Sequence, residues 1–193
     1  DKALVEGATS TSVHVSENGV DLSNFRCSVY DGKNLIGYAI TDENGNATIE
    51  LSETVEASRE LTLKVTGMNS FLRSYTINCI SDNEPYVYVD RLIINDINGN
   101  NNGEIDFGEE IYLNAVVKNL GLVETVDLNI AISSCNTDYF TITDNWAEFS
   151  NIEAQSEIII EDAFSLKIDT DAPNAHPITA NLTCDDYYHY WYS

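Results

Sequence analysis

Apolar residues recur at every second position through almost the whole chain, and nowhere do they keep the spacing of an amphipathic helix. Successive side chains on a strand point to opposite faces, so this pattern buries one face of a sheet and wets the other. Ser12–Ser16, Phe25–Tyr30, Leu35–Thr41, Ala47–Leu51, Leu61–Thr66 and Ser74–Ile80 read as strands. The turn-forming runs Asp31-Gly32-Lys33-Asn34 and Asp42-Glu43-Asn44-Gly45-Asn46 separate three of them, which predicts a β-meander over 25–51. Ser81-Asp82-Asn83-Glu84-Pro85 is polar, contains one of only three prolines, and marks a boundary between two strand-rich stretches. Beyond it, Tyr86–Ile94, Ile111–Lys118, Val126–Ile132, Tyr139–Thr143, Ala147–Ile152, Ile158–Ile168 and Pro177–Cys184 form a second set, with a bulge expected near Glu161-Asp162. The expected fold class is all-β, with one antiparallel β-sandwich over 1–82 and another over 83–193.

Between two strands of the second set lies Asp96–Glu110, D-I-N-G-N-N-N-G-E-I-D-F-G-E-E. Asp96, Asn98, Asn100 and Asn102 alternate, and Glu104, Asp106, Glu109 and Glu110 follow. Such a loop can gather carboxylate and amide oxygens around one point. That suits Ca²⁺, which takes roughly six to eight oxygen ligands in irregular geometry. The opening places oxygen donors as an EF-hand loop does. Asn101 then replaces the sharp-turn glycine, Phe107 falls where a bidentate Glu belongs, and no helix flanks the loop. A structural calcium site outside the EF-hand class is expected, held by Asp96, Asn98, Asn100, Asn102, Asp106 and one of Glu109 or Glu110. The plainer alternative is an Asn/Gly turn cluster, since both residues accept positive φ.

Nine Lys+Arg against 32 Asp+Glu give a formal charge of −23. That surface repels phosphate backbones and anionic lipid, which excludes nucleic acid as an expected partner. No apolar run is long enough to cross a membrane as a helix, so no membrane insertion is expected. The chain begins at Asp1 without Met and reads as a piece of a longer one. Cys27, Cys79, Cys135 and Cys184 show no zinc spacing and fall two to each half. One disulfide per half, Cys27–Cys79 and Cys135–Cys184, fits an oxidising compartment; buried free thiols fit the spacing equally well.

Residues 31–51, D-G-K-N-L-I-G-Y-A-I-T-D-E-N-G-N-A-T-I-E-L, and 61–69, L-T-L-K-V-T-G-M-N, give the first unit a resemblance. It resembles the immunoglobulin-like domain that follows the catalytic domain of gingipain-type secreted cysteine peptidases, over most of 10–80. The second unit is similar to the tandem sandwich seen after such modules, with its D-x-N-G-N-x-N-G-x-x-D-x-G-E loop. The resemblance implies two tandem immunoglobulin-like domains in a secreted or cell-surface protein, with a peptidase domain upstream in the same polypeptide as their partner. The family's catalytic Cys and His belong to that upstream α/β domain, so the resemblance places no catalytic residue here. Two positions depart from the family pattern: Met68 stands where an aromatic is usual, and Arg73 alone supplies the basic character after it.

The residues themselves agree that this stretch is non-catalytic. His14, His176 and His189 lie in no recognisable nucleophile context, and no phosphate-binding glycine loop occurs. Tyr187, Tyr188, Tyr190, Trp191 and Tyr192 crowd the C-terminus, with Tyr139 and Trp146 earlier. Exposed rings there would suit a protein or glycan ligand, making an adhesin or carbohydrate-binding module the alternative function. The alternation of Tyr188, Tyr190 and Tyr192 predicts instead that these rings cover the core of a terminal strand.

Overall fold

The alternation expected from the sequence is realised as burial. Strand Glu60–Thr66 buries Leu61, Leu63 and Val65 and turns the residues between them outward. A computed structural model describes residues 3–134, 138–173 and 178–192. They are all-β, and the chain divides into two compact units, Asp1–Glu84 and Pro85–Ser193.

The first unit contains β1 (Ala3–Val5), β2 (Ser10–His14), β3 (Ser16–Glu17), β4 (Val20–Asp21), β5 (Arg26–Asp31), β6 (Asn34–Ile40), β7 (Asn46–Glu50), β8 (Glu60–Thr66) and β9 (Arg73–Ile80). Five of them form a sheet in the order β1-β9-β8-β5-β6, while β2 pairs with β7 and β3 with β4. Val13, Ala47 and Ile49 of the β2–β7 ribbon share one buried cluster with Cys27, Val29, Leu61, Leu63, Val65 and Ile77 of the large sheet.

Three expectations need correction here. The meander stops after two strands, because β7 pairs with β2 and leaves the sheet that holds β5 and β6. Asp42 is the cause: its Oδ1 accepts the N–H groups of Asn44 and Asn46, both at 2.9 Å, and turns the chain toward Val15, whose N–H bonds the Gly45 carbonyl. The crossing is close, and a Cβ on Gly37 would stand 2.5 Å from the Glu50 carbonyl oxygen, so glycine is required there. Second, the unit is not wholly antiparallel, since β1 pairs with β9 in parallel. Third, Cys27 and Cys79 are free, buried thiols. Cys27 lies opposite Val65, whereas the Cys79 N–H bonds the carbonyl of Arg59, beyond the other end of β8. Six residues of strand separate these levels by roughly 20 Å, far beyond the ~7 Å between Cα atoms that a disulfide spans.

The second unit contains β10 (Val87–Asn95), β11 (Glu110–Asn119), β12 (Leu128–Ser134), β13 (Phe140–Asp144), β14 (Trp146–Phe149), β15 (Ser156–Ile168), β16 (Ala180–Asp185) and β17 (Tyr190–Tyr192). Two four-stranded antiparallel sheets, β10-β11-β15-β13 and β14-β12-β16-β17, contribute to one buried cluster, the arrangement of a β-sandwich. Ile111, Leu113 and Phe164 enter it from the first sheet, and Leu128, Ile130 and Cys184 from the second. β15 bulges where Leu113 faces Phe164 but Ala115 faces Ile160, with Asp162 at φ +48°. Asn119, fully buried at the end of β11, accepts N–H groups from Tyr86 and Gly121 and donates to the carbonyls of Val123, Ile152 and Glu153. It is a polar pin that adds to the backbone hydrogen bonds joining these segments, such as Leu120 N–H to the Tyr86 carbonyl and Thr125 N–H to the Ile152 carbonyl. Cys184 is a buried free thiol, and its expected partner Cys135 lies outside the described residues, as does His176.

Candidate metal centre

The loop from Asp96 to Glu109 joins β10 to β11, and its path is set by side chains bonding to nearby backbone. Asp96 directly follows β10 and is only 3% exposed. Its Oδ2 accepts the N–H groups of Asn102 at 2.8 Å and Gly103 at 3.2 Å, while its carbonyl accepts that of Gly99 at 2.7 Å. Asn100 Oδ1 accepts the Asn102 N–H at 3.0 Å, and Asn102 Oδ1 accepts the Glu104 N–H at 2.7 Å. Each thus caps the backbone two residues on, the local habit that makes Asn a loop former. Asn101 and Gly103 take the left-handed φ values of +57° and +78° that this winding needs.

The acidic far end folds back on the same residues. Asp106 Oδ2 accepts Nδ2–H groups from both Asn100 and Asn102, each at 2.7 Å. Glu109 Oε1 accepts the Asn100 N–H at 3.0 Å, and its Oε2 accepts the Asp106 N–H at 3.3 Å. Gly99 gives it room, since a Cβ there would meet Glu109 Oε1 at 2.6 Å. Five of the expected ligands are therefore brought together: Asp96, Asn100, Asn102, Asp106 and Glu109. Two are not. Asn98 is exposed and makes no side-chain hydrogen bond among the described residues, and Glu110 is exposed at the first position of β11.

The donors are all oxygen, in three carboxylates and two amides, which fits a hard cation better than a soft one. Among the described residues, no three His, Cys, Asp or Glu side chains alone form a group able to hold a metal. Any ion here would depend on amide or backbone carbonyl oxygens as well.

The C-terminal aromatics depart from expectation. Trp191 packs on the core, whereas Tyr190 and Tyr192 are 55% and 78% exposed, the opposite of the predicted phase. Tyr187 and Tyr188, also exposed, sit on a turn with Tyr187 at φ +73°. Asp186, 1% exposed, holds that turn: its Oδ1 accepts the N–H groups of Tyr188 at 3.2 Å and His189 at 2.8 Å. His189 Nδ1 lies 2.9 Å from the same oxygen, and its ring stacks on Trp191. Among 32 acidic residues nothing in the sequence singled Asp186 out; its signal was an Asp placed two and three residues before the N–H groups of a turn.

No protein-family model matches the chain, and no curated protein matches it. Several solved structures are similar in part, three of them as follows. The Arg-specific cysteine proteinase gingipain R is 23% identical with a TM-score of 0.37, over 41% of this chain and 17% of that one. A complex of Porphyromonas gingivalis RgpB pro- and mature domains gives the same figures. The BSP domain of a biofilm-associated protein is 12% identical with a TM-score of 0.33, over 96% of this chain and 26% of that one. The chain thus spans about a sixth of gingipain R and about a quarter of the biofilm-associated protein.

Proposed function

We propose that this chain is a non-catalytic accessory region of a secreted or cell-surface bacterial protein, built as two immunoglobulin-like sandwiches and stiffened by a structural calcium ion. One observation carries the metal: Asp96, Asp106 and Glu109 are tied to Asn100, Asn102 and their neighbours in a single loop. Ca²⁺ would be held there by those carboxylates together with amide or carbonyl oxygens, and it would replace carboxylate repulsion with coordination. The motifs over 31–51 and 61–69 support placement downstream of a gingipain-like peptidase domain, which the two units would space or present. Thermal melts of the full chain in EGTA, in millimolar Ca²⁺ and in Mg²⁺ test the metal. A Ca²⁺-specific rise is expected, and identical melts in all three would return the loop to a turn cluster.

A second reading, an adhesin or carbohydrate-binding module, is favoured by the outer face of the β14-β12-β16-β17 sheet. The register lines up Trp146, Ala131, Thr183 and Tyr192 in one row and Glu148, Asn129, Asp185 and Tyr190 in the next. Trp146 and Tyr192 end a row about 14 Å long, at the ~4.8 Å spacing of strands, with polar groups beside it. Tyr190→Ala with Tyr192→Ala on a glycan array tests this face, because Trp191 is part of the core and its removal would damage the fold. A wild-type signal that the double variant lacks would support the reading. No wild-type signal would remove it.

A further inference from the structure

A groove of about 650 Å³ in the second unit is lined by Asp127, Asn129, Glu148, Phe149, Tyr187 and Tyr188, among others. Tyr187 and Tyr188 meet edge to face, with centroids 5.1 Å apart and planes at 84°, and so form two walls of a corner. The fold holds that corner out against its own preference. A bulky residue at positive φ is strained, yet the buried Asp186 carboxylate fixes the turn on both sides of Tyr188. Asp127 and Glu148 are exposed and make no ion pair among the described residues, and no lysine or arginine lines the groove.

We infer that this groove binds an organic ammonium group. The faces of aromatic rings carry negative potential, and carboxylates carry negative charge; a cation is the ligand that both attract. A sugar can stack on the rings and hydrogen-bond to Asn129 and the carboxylates but gains nothing from their charge, and an anion would be repelled by Asp127 and Glu148. The source of the ammonium, a quaternary amine or a lysine side chain of another protein, is separated by the choice of probe. This site is distinct from the calcium loop and does not depend on it.

The test is titration of the full chain with choline, with Nα-acetyl-lysine amide, and with 3,3-dimethylbutan-1-ol, which copies the shape of choline without its charge. Tyrosine ring resonances report occupancy. Saturable binding of choline or of the lysine derivative is expected, weakened by added salt, with the neutral alcohol binding at least about tenfold more weakly. Tyr187→Gly removes one wall while relieving the positive φ, so its melt should not fall; it should weaken binding about fivefold or more. Glu148→Gln keeps the shape of the groove and should weaken binding severalfold at low salt. Equal binding of the neutral alcohol, binding unaltered by both variants, or no saturable binding of either cation would overturn the inference.

Discussion

Replacing Asp96 by Ala separates what the loop gains from its own hydrogen bonds from what it gains from a metal. The carboxylate is buried and takes two N–H groups, from Asn102 and Gly103. A hydrogen bond to a charged group contributes ~1.5–3 kcal/mol, so two would give 3 or more if nothing replaced them. Asn102 and Gly103 are exposed, however, and water can take over the released donors. A loss of about 2 kcal/mol in EGTA follows, or roughly 8 °C for a unit of this size. Calcium at the proposed site would add a second effect: ligand at about 100 times its Kd stabilises the native state by roughly 2.7 kcal/mol, near 10 °C here. Four calorimetric scans, wild type and Asp96→Ala in EGTA and in Ca²⁺, resolve both. The second unit should melt about 8 °C lower in the variant without metal, and the calcium increment should vanish. A calcium increment of equal size in both proteins would refute Asp96 as a ligand. An unchanged melt in EGTA would refute the hydrogen-bond reasoning.

Three further outcomes are expected. Asn119→Leu leaves two N–H groups and three carbonyls without their shared partner, and should cost about 3 kcal/mol or more by chemical denaturation; a loss below about 1 would show that water replaces it. Burial, with a smaller contribution from Asp185 and against a hydrogen bond from the Val89 backbone, pushes the Cys184 thiol up to about 12. Its folded pKa lies above its unfolded one, so the stability it contributes is intact below about pH 9. That stability should fall by up to ~1.4 kcal/mol per pH unit between about 9 and 12, and Cys184→Ala should flatten this slope. Cys27 and Cys79 should both be alkylated on unfolding without reductant, as mass spectrometry would read directly; a peptide pair joined by a disulfide would contradict the register of β5, β8 and β9.

Most strands were legible because they are half-buried, and a half-buried strand writes its period into the sequence. β7 and β8, with strict alternation of buried and open residues, are the clearest cases. The elements that escaped lack that signature. β1 is three consecutive apolar residues, too short to show a period, and β3 and β4 are two-residue segments exposed on both faces. Partnership was harder to read than position. The Asp42 turn moves β7 to another ladder without altering its apolar pattern, so a meander and a crossover look alike in one dimension. The cysteines teach the same lesson: even spacing between halves says nothing about the level each reaches along a sheet, and that level decides whether they can join.

The two aromatic and acidic stretches differ in legibility for a related reason. In the loop, the relevant contacts reach only a few residues, so the alternating Asp and Asn oxygens announce themselves in order. Even the choice between Glu109 and Glu110 follows locally. Ile111 is fully buried, so its strand neighbour Glu110 must face out, while Glu109 precedes the strand and turns back to Asn100. At the C-terminus the deciding contact lies in another strand. Trp191 sits opposite Cys184, and Cys184 is fully buried. Residues directly opposite on paired strands share a face, so Trp191 turns inward and Tyr190 and Tyr192 turn out. Alternation fixes that some rings face solvent, but only the partner strand fixes which. One buried thiol thereby sets two tyrosines on the surface.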